Sequence, residues 1–250
     1  MAWRISCGKP ERNEVAPLNR LAAELPDDWA LFTNIPRHLT GAGRQGREID
    51  ALALSPRGAV VIELKHFGGL ITVMPKGEWY VGGELLTDRQ GNPQYPIQQA
   101  GKAAQVLKSA LGAAAGGAYI EACAIATSES ARIRFDDPAR QQSIMVMDDA
   151  VSGILTLART TRGVSHLSLQ AFFALIGHQI PSKLETLWRE QAPAQRSSAA
   201  RPRGRHKGRH STDYYRSKSP EKRRVSFGEV AIAVIIALLL GGYLLGVIQT

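Results

Sequence analysis

Two hundred and fifty residues, 44% hydrophobic and 21% charged, are enough to fill a packed core, which excludes a wholly disordered chain. The net charge of +9 is concentrated: residues 1–195 carry 20 Lys and Arg against 19 Asp and Glu, and residues 196–224 carry 11 against two. The N-terminal part is therefore near neutral, which counts against a domain held on nucleic acid mainly by phosphate neutralisation. The two cysteines, Cys7 and Cys123, exclude a disulfide framework or a cysteine zinc site.

Residues 1–10 are short, mixed and interrupted by Gly8 and Pro10, without the apolar stretch of a secretory leader. Residues 13–25 set Val15, Leu18, Leu21, Ala22 and Leu25 at helical spacing, with Glu14 near the start and Pro26 just beyond, and predict a helix. Residues 29–35 predict a strand. Residues 49–54 and 59–64 are β-type runs on either side of Ser55-Pro56-Arg57-Gly58, and predict a hairpin. Two further strands are expected at 70–73 and 79–81, an Ala-rich helix at 97–111, strands at 119–126 and 143–146, and helices at 149–158 and 167–176. This order predicts an α/β domain over residues 1–190 with a central mixed β-sheet flanked by helices.

Residues 191–228 are rich in Arg, Lys, Ser and Pro and poor in large aliphatics, so they predict a disordered basic linker. Within residues 229–248, the run VAIAVIIALLLGGYLLGVI holds nineteen residues without a charge. As a helix it would span roughly 28 Å, about the thickness of a bilayer core. One transmembrane helix is expected there. The basic residues before it place the preceding chain on the cytoplasmic side by the positive-inside rule. They also offer contacts to anionic lipid or nucleic acid.

The chemistry is concentrated in residues 46–69. With Ser55 opposed to Gly58 across the hairpin turn, Asp50 falls directly across from Glu63. Lys65 shares the face of Glu63 because side chains alternate along a strand. Two adjacent carboxylates repel each other, and a divalent cation relieves that repulsion. Mg²⁺ takes one or two carboxylates and keeps room for a phosphate oxygen. Lys65 would stabilise charge on a phosphoryl group. The competing structural account is a Lys65 salt bridge with either acid on a solvated sheet edge.

The wider pattern resembles the nuclease-related domain, NERD, a branch of the PD-(D/E)xK nuclease superfamily. The resemblance rests on Arg47-Glu48-Ile49-Asp50, Ser55-Pro56-Arg57-Gly58, Val61-Ile62-Glu63-Leu64-Lys65 and Phe67-Gly68-Gly69. Trp79, Asn92-Pro93, Pro96-Ile97-Gln98-Gln99-Ala100 and, upstream, Glu14 extend it over about residues 10–130, roughly half of the chain. It implies a restriction-endonuclease-like core. It also implies Asp50, Glu63 and the backbone carbonyl of Leu64 as ligands of Mg²⁺ or Mn²⁺, with Lys65 as the catalytic lysine. Glu14 would reach the metal or its water from the first helix. Gln99, or its neighbour Gln98, would face the site from the second. The expected activity is phosphodiester hydrolysis by a membrane-anchored nuclease, with DNA favoured over RNA. The alternative is an inactive nuclease-fold module that binds nucleic acid or serves as a scaffold at the membrane surface. His66 is expected to be structural, and Ser128 and Ser130 lack the surroundings of a serine nucleophile.

Overall fold

Apolar side chains on both faces of 49–64 require cover on both sides, and the fold supplies it. In the computed structural model, residues 1–40, 48–115, 119–136, 143–160 and 166–191 are described. They lie within one compact unit, Met1–Ser197. The elements in chain order are β1 (Trp3–Ser6), α1 (Val15–Glu24), β2 (Ala30–Ile35), α2 (Arg37–Thr40), β3 (Ile49–Ser55) and β4 (Gly58–Lys65). There follow β5 (Leu70–Val73), β6 (Trp79–Val81), β7 (Glu84–Leu85), α3 (Pro96–Leu111), β8 (Ile120–Ala126), β9 (Arg132–Phe135) and β10 (Ile144–Val146). Helices α4 (Ala150–Thr160), α5 (His166–Leu175) and α6 (Ser182–Gln191) complete them.

The central sheet has the order β1-β2-β3-β4-β8-β10. It is mixed: β2·β3 and β3·β4 are antiparallel, whereas β1·β2, β4·β8 and β8·β10 are parallel. On one face Leu52, Leu54, Ala59 and Val61 pack under Ala100, Ala103, Ala104 and Leu107 of α3, joined by Phe172, Phe173 and Trp188. The small alanines let α3 lie close to the strands. On the other face Ala51, Ala53, Val60 and Ile62 meet Leu18 and Leu21 of α1 and Ile154 and Ala158 of α4. The alternation read along the hairpin is thus the partition between two cores.

Five elements go beyond the sequence expectations: β1, α2, β7, β9 and α6. The strands expected at 70–73 and 79–81 do not extend the central sheet. They form a second sheet of order β7-β6-β5-β9, packed through Ile71, Val73 and Trp79 against Ala124 and Ala126 of β8. Helix α6 ends at Gln191, the first residue assigned above to the linker. No helix among the described residues is long and apolar enough to cross a membrane. The expected transmembrane helix, the rest of the linker and Arg47 lie outside the described residues.

Candidate functional site

Chain direction gathers the site. The carboxyl ends of β1, β2, β4 and β8 lie at one edge of the central sheet, and β3 starts there. Helix α1 leads from β1 back to the parallel β2, and α3 leads from the β4 side back to the parallel β8. Both helices therefore begin at that edge, where open α/β sheets place their ligand sites.

The hairpin has the expected register, from Ser55–Gly58 to Ala51–Ile62. One step further, Asp50 stands across from Glu63. The backbone ladder stops there, and the Leu64 backbone N–H donates to the Asp50 side chain, Oδ2, at 2.7 Å. A strand residue directs its N–H and C=O toward the same antiparallel neighbour, so the Leu64 carbonyl is turned to the Asp50 side.

Glu63 and Lys65 form an ion pair, Nζ to Oε1 2.7 Å, with side chains only 15% and 19% exposed. The salt bridge of the competing account is therefore present, but along one inner strand of the sheet, β4, and not at a solvated edge. Asp50 is half-buried, and burial pushes its carboxyl up to about 7. The negative charge of Glu63 adds to this, and that of Glu14 adds less; the Leu64 N–H and the Lys65 ammonium pull the other way without offsetting it.

Glu14, just before α1, reaches this edge from the opposite side of Asp50. Its Oε2 accepts from Asn34 Nδ2 at 2.7 Å and from the Glu11 backbone N–H at 3.0 Å. Asn34 lies in β2 between the Thr33–Ala51 and Ile35–Ile49 pairs, and so across from Asp50. The sequence analysis missed Asn34; its one signal was a polar residue inside an apolar strand.

The two glutamines separate. Gln98 is exposed and donates to the Lys76 carbonyl at 3.2 Å. Gln99 is half-buried, and its Oε1 is buried without a partner. The start of α3 places Gln99 at the site edge, but no hydrogen bond joins it to Asp50, Glu63 or Lys65. His66 Nδ1 meets Thr127 Oγ1 at 3.1 Å, while the Thr127 N–H donates to the Lys65 carbonyl at 2.9 Å. His66 thus helps to tie the end of β4 to β8. Glu48 is exposed.

Among the described residues, no three His, Cys, Asp or Glu side chains form a metal-holding group on their own. What is present is two carboxylates, Asp50 and Glu63, with the Leu64 carbonyl turned the same way. These are hard oxygen donors that suit Mg²⁺ or Mn²⁺. Burial, and then the charge of Glu63, disfavours the ionised Asp50 carboxyl, and a divalent cation between these oxygens would offset both, so the donor set fits such an ion.

A mixed α/β sheet brings two carboxylates and a lysine to the carboxyl end of a central strand, the arrangement expected of a nuclease-related domain. Residues 9–127 match the family model of the nuclease-related domain, NERD. The match runs from before α1 to the end of β8 and contains Glu14, Asp50, Glu63, Leu64, Lys65 and Gln99. No curated protein and no solved structure matches the chain.

Proposed function

We propose that the chain is a divalent-metal-dependent nuclease that hydrolyses phosphodiester bonds, of DNA in preference to RNA. The observation that carries the proposal is the half-buried Asp50, set across from Glu63 with its charge disfavoured. Asp50, Glu63 and the Leu64 carbonyl would hold Mg²⁺ or Mn²⁺. When bound, the cation neutralises the carboxylate pair and polarises the scissile phosphate. Lys65 has three donor protons, so its bond to Glu63 leaves two for a phosphate oxygen on which charge builds. Glu14, outside the Asp50–Glu63 pair but near enough to act on Asp50, is the acid available to take a proton from the attacking water. Gln99 would orient the substrate from the start of α3.

Membrane attachment belongs to the same proposal. The uncharged run within 229–248 supports an anchor, and the basic residues of 196–224 support a cytoplasmic domain whose linker touches anionic lipid.

A module that binds nucleic acid without turnover has one observation in its favour: Lys65 is already engaged by Glu63. A single assay decides. The full-length chain, kept in mild detergent, is incubated with plasmid and with single-stranded DNA and RNA, with EDTA, Mg²⁺ or Mn²⁺. Cleavage that needs the cation and vanishes in Asp50→Ala and Glu63→Ala is the expected result. Nucleic-acid binding without cleavage under every condition would replace the enzyme with the binding module.

A further inference from the structure

Asn34 is the single non-glycine residue with a positive φ, 53°, among the described residues. Side chains disfavour this left-handed region, asparagine less than most. The inversion occurs inside a strand, with the β2·β3 register kept on both sides of it. Asn34 is 3% exposed, and its Oδ1 is buried without a partner. The backbone around it allows little adjustment. The Cys7 N–H donates to the Thr33 carbonyl at 2.9 Å, and a Cβ on Gly8 would come within 2.6 Å of the Asn34 carbonyl. A buried amide with an unsatisfied oxygen, on a strained residue of an apolar strand, costs stability. Structural need alone does not account for it, because glycine would take the same φ without strain.

What the amide does is hold Glu14. Its Nδ2 bonds Glu14 Oε2 at 2.7 Å, and Asn34 stands across from Asp50. We propose that Asn34 is a positioning residue that keeps the Glu14 carboxylate beside the Asp50–Glu63 pair, within reach of a divalent cation held there. Both bonds to Glu14 fall on Oε2, which leaves Oε1 to serve the pair. The charge of Glu14 already acts on Asp50 in this arrangement. The inference rests on the metal-dependent nuclease proposed above.

The test uses Mn²⁺ titration calorimetry and cleavage on the full-length chain, with thermal melts alongside. Asn34→Gly suits the backbone and removes the amide. It is expected to melt at or above the wild-type temperature while losing Mn²⁺ affinity by about 10- to 100-fold, the range for losing a residue that orients a ligand. Glu14→Gln approaches the same bond from the other partner and should lose a similar factor, and the double variant should be no worse than the single ones. Wild-type Mn²⁺ affinity and cleavage in a folded Asn34→Gly would overturn the inference and leave the nuclease standing. So would losses in the double variant that simply multiply. A wild-type chain that neither binds Mn²⁺ nor cleaves would remove both.

Discussion

At Asp50, burial and two neighbouring acids oppose ionisation, and the consequence is a specific pH dependence. Its carboxyl titrates near 7 in the folded chain, against an ordinary value of 3.8. The folded state therefore binds this proton more tightly than the unfolded state. The resulting stabilisation is complete below the ordinary carboxyl range and is lost as pH rises through about 7, on the order of a few kcal/mol. In EDTA, the melting temperature should fall from pH 4 toward pH 8. Asp50→Asn should flatten that decline, and Mn²⁺ should oppose it in the wild type. A wild-type profile indistinguishable from that of Asp50→Asn would show that the carboxyl is not so perturbed. Lys65 gives a second prediction. If its ammonium meets charge that develops during the reaction, Lys65→Ala should keep Mn²⁺ affinity near the wild-type value and cut kcat about 10²- to 10³-fold. An equal loss of Mn²⁺ affinity, seen by calorimetry, would make it a structural partner of Glu63 instead.

The elements divide the sheet into two edges with different work. The edge where β2 and β4 end carries Asn34, Glu63 and Lys65. The opposite edge, where β2 begins and the β3–β4 turn lies, is closed by contacts that serve stability. There Trp188 of α6 is 2% exposed, and its indole Nε1–H donates to the Asp28 carbonyl at 2.7 Å. Trp188→Ala should cost about 3–5 kcal/mol in urea unfolding, the usual loss for a buried tryptophan. Trp188→Phe should cost less, mainly through the Asp28 carbonyl left without its donor. Cleavage per folded molecule should not change in either variant, because the substitution lies at the far edge. A fall in kcat at full folding would show that α6 is coupled to the site.

For the whole molecule, the charge and apolar patterns beyond the folded domain make a prediction about place. If the uncharged run within 229–248 is the proposed anchor, removing residues 226–250 should move the protein from the membrane fraction to the supernatant. Protease added outside intact cells should leave the domain untouched. Digestion of the domain there would reverse the proposed orientation. Neutralising half of the basic residues in 196–224 should weaken binding to anionic vesicles and flatten its salt dependence.

What the sequence determined by itself was local. Ser55-Pro56-Arg57-Gly58 closes a hairpin, and with a side-chain period of two that turn sets the register that puts Asp50 across from Glu63. The 3.6-residue spacing marked α1 and α3, because each buries one stripe against the sheet. What the tertiary structure decided was non-local. β1 is four residues long with Arg4 and Ser6 exposed, and it becomes a strand by pairing with β2 beyond the intervening α1. β9 alternates exposed arginines with half-buried apolar residues and is a strand because it meets β5, far back in the chain. The bond from Glu14 to Asn34 and the one from Leu64 to Asp50 belong to the same class. No periodicity marks a side chain that bonds a distant strand, since only the packed sheet brings the two into reach.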